Sequence, residues 1–149
     1  MNRKIRKYVF ETNSSSVHTL SVSKDGIEPS KFILDEEGYL HTDFGTFGKN
    51  YDIFDSQYDK LSYLITLCYY CAGFDIDNIK DSYQFKHIED AIKKHTGCLG
   101  IIIDGLEEPE IDHQSQPAYG NIEIINIYDE DEIINFVFNK YISLKTDCD

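Results

Sequence analysis

The order of periodicities along this chain predicts an α+β fold: an antiparallel sheet with N-terminal hairpins, packed against about three helices. Two observations carry that reading. Alternation of apolar and polar residues, the period of a half-buried strand, dominates the first part of the chain. Apolar residues at three- and four-residue intervals, the period of a helix face, recur in three later segments. Hairpins first and helices later is the order of a segregated α+β domain rather than of a βαβ repeat.

The elements follow in order. Lys7–Thr12 and Val17–Ser23 read as two strands, with Tyr8/Phe10 on one face and His18/Leu20/Val22 on one face of the next. The polar segment Asn13-Ser14-Ser15-Ser16 between them is turn chemistry. A second hairpin is expected from Lys31–Asp35 and Tyr39–Thr42 about Glu36-Glu37-Gly38. A first helix is predicted over 56–72, with Asp55 or Ser56 as cap and Gly73 as stop. Tyr58, Leu61, Leu64, Ile65, Cys68 and Ala72 mark its apolar face. A second is predicted over 83–95, capped by Ser82, ended by Gly97, with Phe85, Ile88, Ala91 and Ile92 facing inward. The run 98–103 reads as a buried strand, and 107–110 as a charged loop. A third helix is predicted over 130–139, where Asp129 and Glu132 have capping-box spacing, and a last strand over 141–144.

A chain of 149 residues fits a single domain, 1–149. With 41% apolar and 13% aromatic residues it can bury a core, which separates it from disordered acidic tails. No apolar run approaches the ~18 residues of a membrane span. The basic opening 2–7 runs straight into Tyr8-Val9-Phe10-Glu11, with no secretory apolar region, so a cytoplasmic protein is expected. The four cysteines are then expected as reduced thiols. The net charge is −13. That field repels nucleic acid and favours basic partners, so no direct nucleic-acid binding is expected.

The segment Arg6-Lys7-Tyr8-Val9-Phe10-Glu11-Thr12-Asn13-Ser14-Ser15-Ser16-Val17-His18 resembles the opening of an uncharacterised family of bacteriophage and prophage proteins. The resemblance continues at Lys60-Leu61-Ser62-Tyr63-Leu64, at Asp112-His113-Gln114-Ser115 and at Asn135-Phe136-Val137-Phe138-Asn139. It implies a phage origin and no particular reaction. The end, Thr146-Asp147-Cys148-Asp149, departs from the family's Gly-Asn-Asp-rich terminus.

Two polar motifs are candidate ligand-binding residues. In Glu11, Thr12, Asn13, Ser14, Ser15, Ser16 and His18, small hydroxyl groups on a tight turn gather backbone N–H and side-chain donors that suit phosphate or carboxylate oxygens. The plain alternative is a turn that bonds its own backbone. Asp112, His113, Gln114 and Ser115 are four consecutive hydrogen-bonding side chains. If the two motifs converge, noncatalytic binding of a polar or phosphorylated ligand, a nucleotide included, needs the least geometry. Neither a metal site, whose helical ligand spacing is missing, nor a nucleophile elbow is favoured, and no cofactor is expected.

Other motifs are weak. Cys68-Tyr69-Tyr70-Cys71 lies inside an apolar helix without a second pair, which is the setting of core thiols. Gly45-x-x-Gly48 lacks the phosphate-loop lysine and reads as a flexible loop. His41, His87 and His95 read as isolated surface or partly packed residues. Acidic clusters at Asp75/Asp77, 107–112 and 129–132 suggest either a solvated face or a surface that engages a basic groove on a host protein. The leading expectation is therefore a phage accessory protein with a counter-defence role, anti-CRISPR-like or otherwise host-modulating, that binds a basic host protein. The alternative is a polar-ligand site, or an enzyme, built from the two motifs.

Overall fold

The computed structural model describes residues 7–11, 16–21, 26–47, 52–71, 78–105, 110–111 and 128–148. In chain order the strands are β1 (Lys7–Glu11), β2 (Ser16–Ser21), β3 (Leu40–Asp43), β4 (Thr46–Phe47), β5 (Asp52–Phe54), β6 (Ile101–Asp104), β7 (Glu110–Ile111) and β8 (Ser143–Cys148). The helices are α1 (Gln57–Cys71), α2 (Tyr83–Thr96) and α3 (Glu130–Phe138), with one 3₁₀ turn at Ile79–Asp81.

The described residues are thus an α+β mix, with the expected three helices. The strands form small sheets that are only partly antiparallel. One has the order β1-β2-β8-β5, and its pairs are all antiparallel, with Leu20 opposite Leu144 and Leu144 opposite Phe54. The pairs β3–β6 and β4–β7 are parallel. The second hairpin does not form as a ladder. Its turn is present, closed by Asp35 N–H donating to Tyr39 O at 2.8 Å, with Gly38 at φ 94. Residues 31–35, however, stay outside any strand, and β3 pairs with β6 instead. The reason lies in the competing partners of the loop 26–35. Glu28 N–H donates to Phe138 O and Lys140 N–H to Gly26 O, each at 2.9 Å, and Gln57 Oε1 accepts from Lys31 N–H at 2.7 Å.

Two further segments differ from expectation for the same reason, a partner distant in sequence. Thr46–Phe47, expected in a flexible loop, is strand β4, and Glu110, expected in a charged loop, belongs to its parallel partner β7. Gly45 is pinned by its N–H to Thr66 Oγ1 at 3.0 Å, and Phe47 is buried. The last strand begins at Ser143 rather than Tyr141, because Asn139 to Ile142 turn away from α3 first.

The helices follow local chemistry. Ser82 Oγ accepts from Phe85 N–H at 3.1 Å at the start of α2, and Gly97 at φ 77 supplies the left-handed C-cap. Asp129 caps α3 through Asp131 N–H at 3.0 Å. Ser56 Oγ accepts from Asp59 N–H at 3.0 Å ahead of α1. The amphipathic stripe predicted for α1 is overturned: every residue from Lys60 to Tyr69 is buried, whereas Tyr58 is 44% exposed. This helix is wrapped on all sides, so its polar residues need internal partners. Thr66 Oγ1 donates to Ser62 O at 2.8 Å, and Ser62 Oγ donates to Asp43 O at 2.8 Å, which binds α1 to the end of β3. Phe47 packs edge-on against both Tyr63 and Phe54, with ring centroids 5.1 and 5.0 Å apart. Cys68 and Cys98 are both buried.

Candidate functional site

The sequence-predicted motifs are only partly visible. Glu11 closes β1 opposite Val17, Ser16 opens β2 opposite Cys148, and His18 stands in β2 between Phe10 and Thr146. Thr12, Asn13, Ser14, Ser15, Asp112, His113, Gln114 and Ser115 lie outside the described residues. Other residues form a site that the sequence did not announce.

That site is a cleft of about 660 Å³ between the loop 28–33, the start of α1 and the C-terminal end of α3. Phe32, Ile33, Val137 and Phe138 contribute apolar lining. Phe32 meets Phe138 edge-on at 6.0 Å, and His95 lies against Phe138 at 4.0 Å. The loop wall is fixed. Gln57 donates to Pro29 O at 3.1 Å, and His95 Nε2 bonds Glu28 O at 2.8 Å. Gly26 belongs to the same construction, since a Cβ there would lie 2.5 Å from the Tyr141 ring.

Lys60 lines this cleft at 1% exposure. Its Nζ donates to Asn139 O at 2.9 Å and to Ile142 O at 3.1 Å, in the turn that follows α3. An ammonium has three N–H donors, and these bonds use two. Burial pulls its pKa from 10.5 down to about 8, opposed by the Asp55 and Glu28 carboxylates. The walls carry the ammonium groups of Lys31, Lys60 and Lys140 against the carboxylates of Glu28 and Asp55. Lys31 is paired with Glu28 at 3.5 Å, and His41 at the edge brings the Asp35 and Asp104 carboxylates, so positive and negative groups are mixed here in a chain of net charge −13.

His41, expected to stand alone, is clamped at the cleft's edge. Its Nε2 lies 2.7 Å from Asp35 Oδ2, and its Nδ1 lies 2.8 Å from Asp104 Oδ2. Both ring nitrogens donate only in the imidazolium, so the bonds to Asp35 and then Asp104 raise its pKa above the ordinary 6.5. Asp35 is lowered, first by the Tyr39 N–H at 2.9 Å and then by His41. With both nitrogens engaged, His41 has no free lone pair to act as a general base in this arrangement. Tyr58 also lines the cleft. Partial burial first, then the Asp43 carboxylate, push its pKa up to about 12. Among the described residues no three His, Cys, Asp or Glu side chains converge as a metal site. No family model, no curated protein and no solved structure matches the chain.

A sequence signal for Lys60 existed. It stands one turn before Leu64 and two before Cys68, on the same inward line of α1. The His41 clamp had no such signal, because Asp104 reaches it only through the parallel β3–β6 pairing.

Proposed function

We propose that this chain is a binding protein whose cleft takes a small anionic molecule, a carboxylate or phosphate carried on an apolar body. The observation that carries the reading is Lys60: a buried ammonium on the cleft with a third N–H for an occupant. Lys31 and Lys140 at the walls support the same charge preference, and Phe32, Ile33 and Phe138 support the apolar body. A fixed loop wall favours affinity, because little ordering remains to be done on binding. Thermal unfolding with inorganic phosphate, adenosine monophosphate and octanoate tests this. At a concentration of about 100 Kd, a ligand of the native state adds about 2.7 kcal/mol of stability. Stabilisation by one of these anions that disappears in Lys31→Glu and Lys60→Met supports the site. No stabilisation by any of them, or stabilisation unchanged in both variants, defeats it.

A second reading keeps the phage accessory role, with counter-defence by binding a basic host protein. The net charge of −13 favours it, together with the resemblance of the opening segment to phage proteins. Such binding weakens steeply as salt rises. An affinity unchanged between low and high salt argues against it.

A further inference from the structure

The charged groups on the cleft are of both signs, and they are not all spent on one another. Glu28 and Lys31 form a pair of their own at 3.5 Å in the loop wall. Lys140 lies over the Tyr141 ring, its Nζ 5.1 Å from the centroid. Lys60 is buried, with two carbonyl partners. Asp55 is exposed, lines the same cleft and has no hydrogen bond or ion pair among the described residues. It directly precedes Ser56, whose hydroxyl caps α1, and Lys60 lies one turn beyond that cap, its N–H donating to Ser56 O at 3.1 Å. A carboxylate for a cation and an ammonium for an anion are thus anchored at the same end of one helix. The Asp55 carboxylate also acts on the Lys60 ammonium through space, ahead of Glu28.

We propose that the ligand of the cleft is a zwitterion, an α-amino acid with a large apolar side chain, whose carboxylate meets Lys60 and whose ammonium meets Asp55. This rests on the reading of the cleft as an anion site and adds the opposite charge to it. A plain anion beside Lys60 enters the field of Asp55, and like charges repel. A phosphate carries more negative charge and is repelled more. An occupant that brings its own ammonium turns the same repulsion into a second attraction. The two charges of an α-amino acid sit on one carbon, which suits groups anchored about one helical turn apart. The separated ends of an ω-amino acid suit them less. The side chain then covers the apolar wall, where Ile33 is 93% exposed and Phe32 is half-buried, and burying that area is favourable.

Isothermal titration at low salt tests it with L-phenylalanine and its two halves: hydrocinnamate, which lacks the ammonium, and phenethylamine, which lacks the carboxylate. The ω-amino acid ε-aminocaproate is the fourth ligand. L-Phenylalanine is expected to bind about 3-fold tighter than hydrocinnamate, the worth of one ion pair to an exposed carboxylate. Phenethylamine and ε-aminocaproate are expected to bind more weakly than either. Asp55→Asn is expected to bind L-phenylalanine and hydrocinnamate alike, with circular dichroism confirming that α1 persists. Hydrocinnamate binding the native chain as tightly as L-phenylalanine overturns the zwitterion while the anion reading survives. A preference undiminished in Asp55→Asn does the same. Tightest binding by ε-aminocaproate overturns the choice of an α-amino acid. Binding of none of the four, or of phenethylamine alone, overturns both readings of the cleft.

Discussion

Lys60→Met separates the charge of the cleft floor from its packing. The native ammonium is 1% exposed, and burial lowers its pKa from 10.5 to about 8. The unfolded chain restores the ordinary value, so between about pH 8 and 10.5 the unfolded state holds a proton that the native state has released. A lysine depressed in this way makes stability rise with pH across that window. At ~1.36 kcal/mol per pH unit the ceiling is about 3 kcal/mol. The two carbonyl acceptors hold an ammonium more firmly than an amine and bring the expected gain to about 1–3 kcal/mol. Methionine keeps most of the volume but removes the ammonium's bonds to Ile142 O and to Asn139 O, the latter still accepting from Ile142 N–H, a loss of roughly 1–3 kcal/mol near neutral pH. Urea unfolding of both proteins at intervals from about pH 7 to about pH 10 measures the difference, with common tyrosine and thiol titrations cancelling between them. The stability gap is expected to widen by about 1–3 kcal/mol as pH rises through the window. Parallel curves refute the reasoning, because they mean that the ammonium is as well solvated folded as unfolded.

Further outcomes follow from single contacts. Asp35→Asn lowers the His41 pKa more than Asp104→Asn does, as read from the ring-proton NMR titration, because the Asp35 bond is the larger cause of the rise. The stability supplied by the His41 clamp is present below the unfolded value of 6.5 and is lost as pH rises through the higher folded value, an interval that vanishes in Asp35→Asn/Asp104→Asn. Thr42→Val is neutral or stabilising by up to about 1 kcal/mol in urea melts, since Thr42 Oγ1 is a buried hydroxyl with no hydrogen-bond partner. Ser82→Ala costs about 1 kcal/mol by the same measurement, through loss of the cap to Phe85 N–H, whereas Ser82→Gly costs a few tenths.

What the sequence disclosed depended on how far apart the interacting groups lie. The boundaries of α2 were legible because Ser82, the inward face Phe85–Ile92 and Gly97 are all local to it. The Glu36-Glu37-Gly38 turn was legible for the same reason, but its strand partner was not. Leu40 pairs with Ile101, and no periodicity near residue 40 specifies that choice. Parallel pairing also misled the reading of Thr46–Phe47, whose partner is Glu110–Ile111. The cleft was hidden because its key side chains belong to the loop 28–33, α1 and the end of α3, which meet only in the fold. Yet two segments singled out by resemblance do touch: Lys60 bonds the carbonyl of Asn139. The convergence of Asn13–His18 with Asp112–Ser115 concerns positions that are largely outside the described residues.

Strand β8 has a consequence for how the chain is made. It lies between β2 and β5, so two strands made well before it share a seat that residues 143–148 fill. The β1–β2 hairpin must wait with an open edge while nearly all the intervening chain is translated, and an isolated two-stranded hairpin is marginal in water. Assembly of this sheet is thus postponed until synthesis has passed α3, and a ribosome stalled before that point holds an unfinished, adhesive edge.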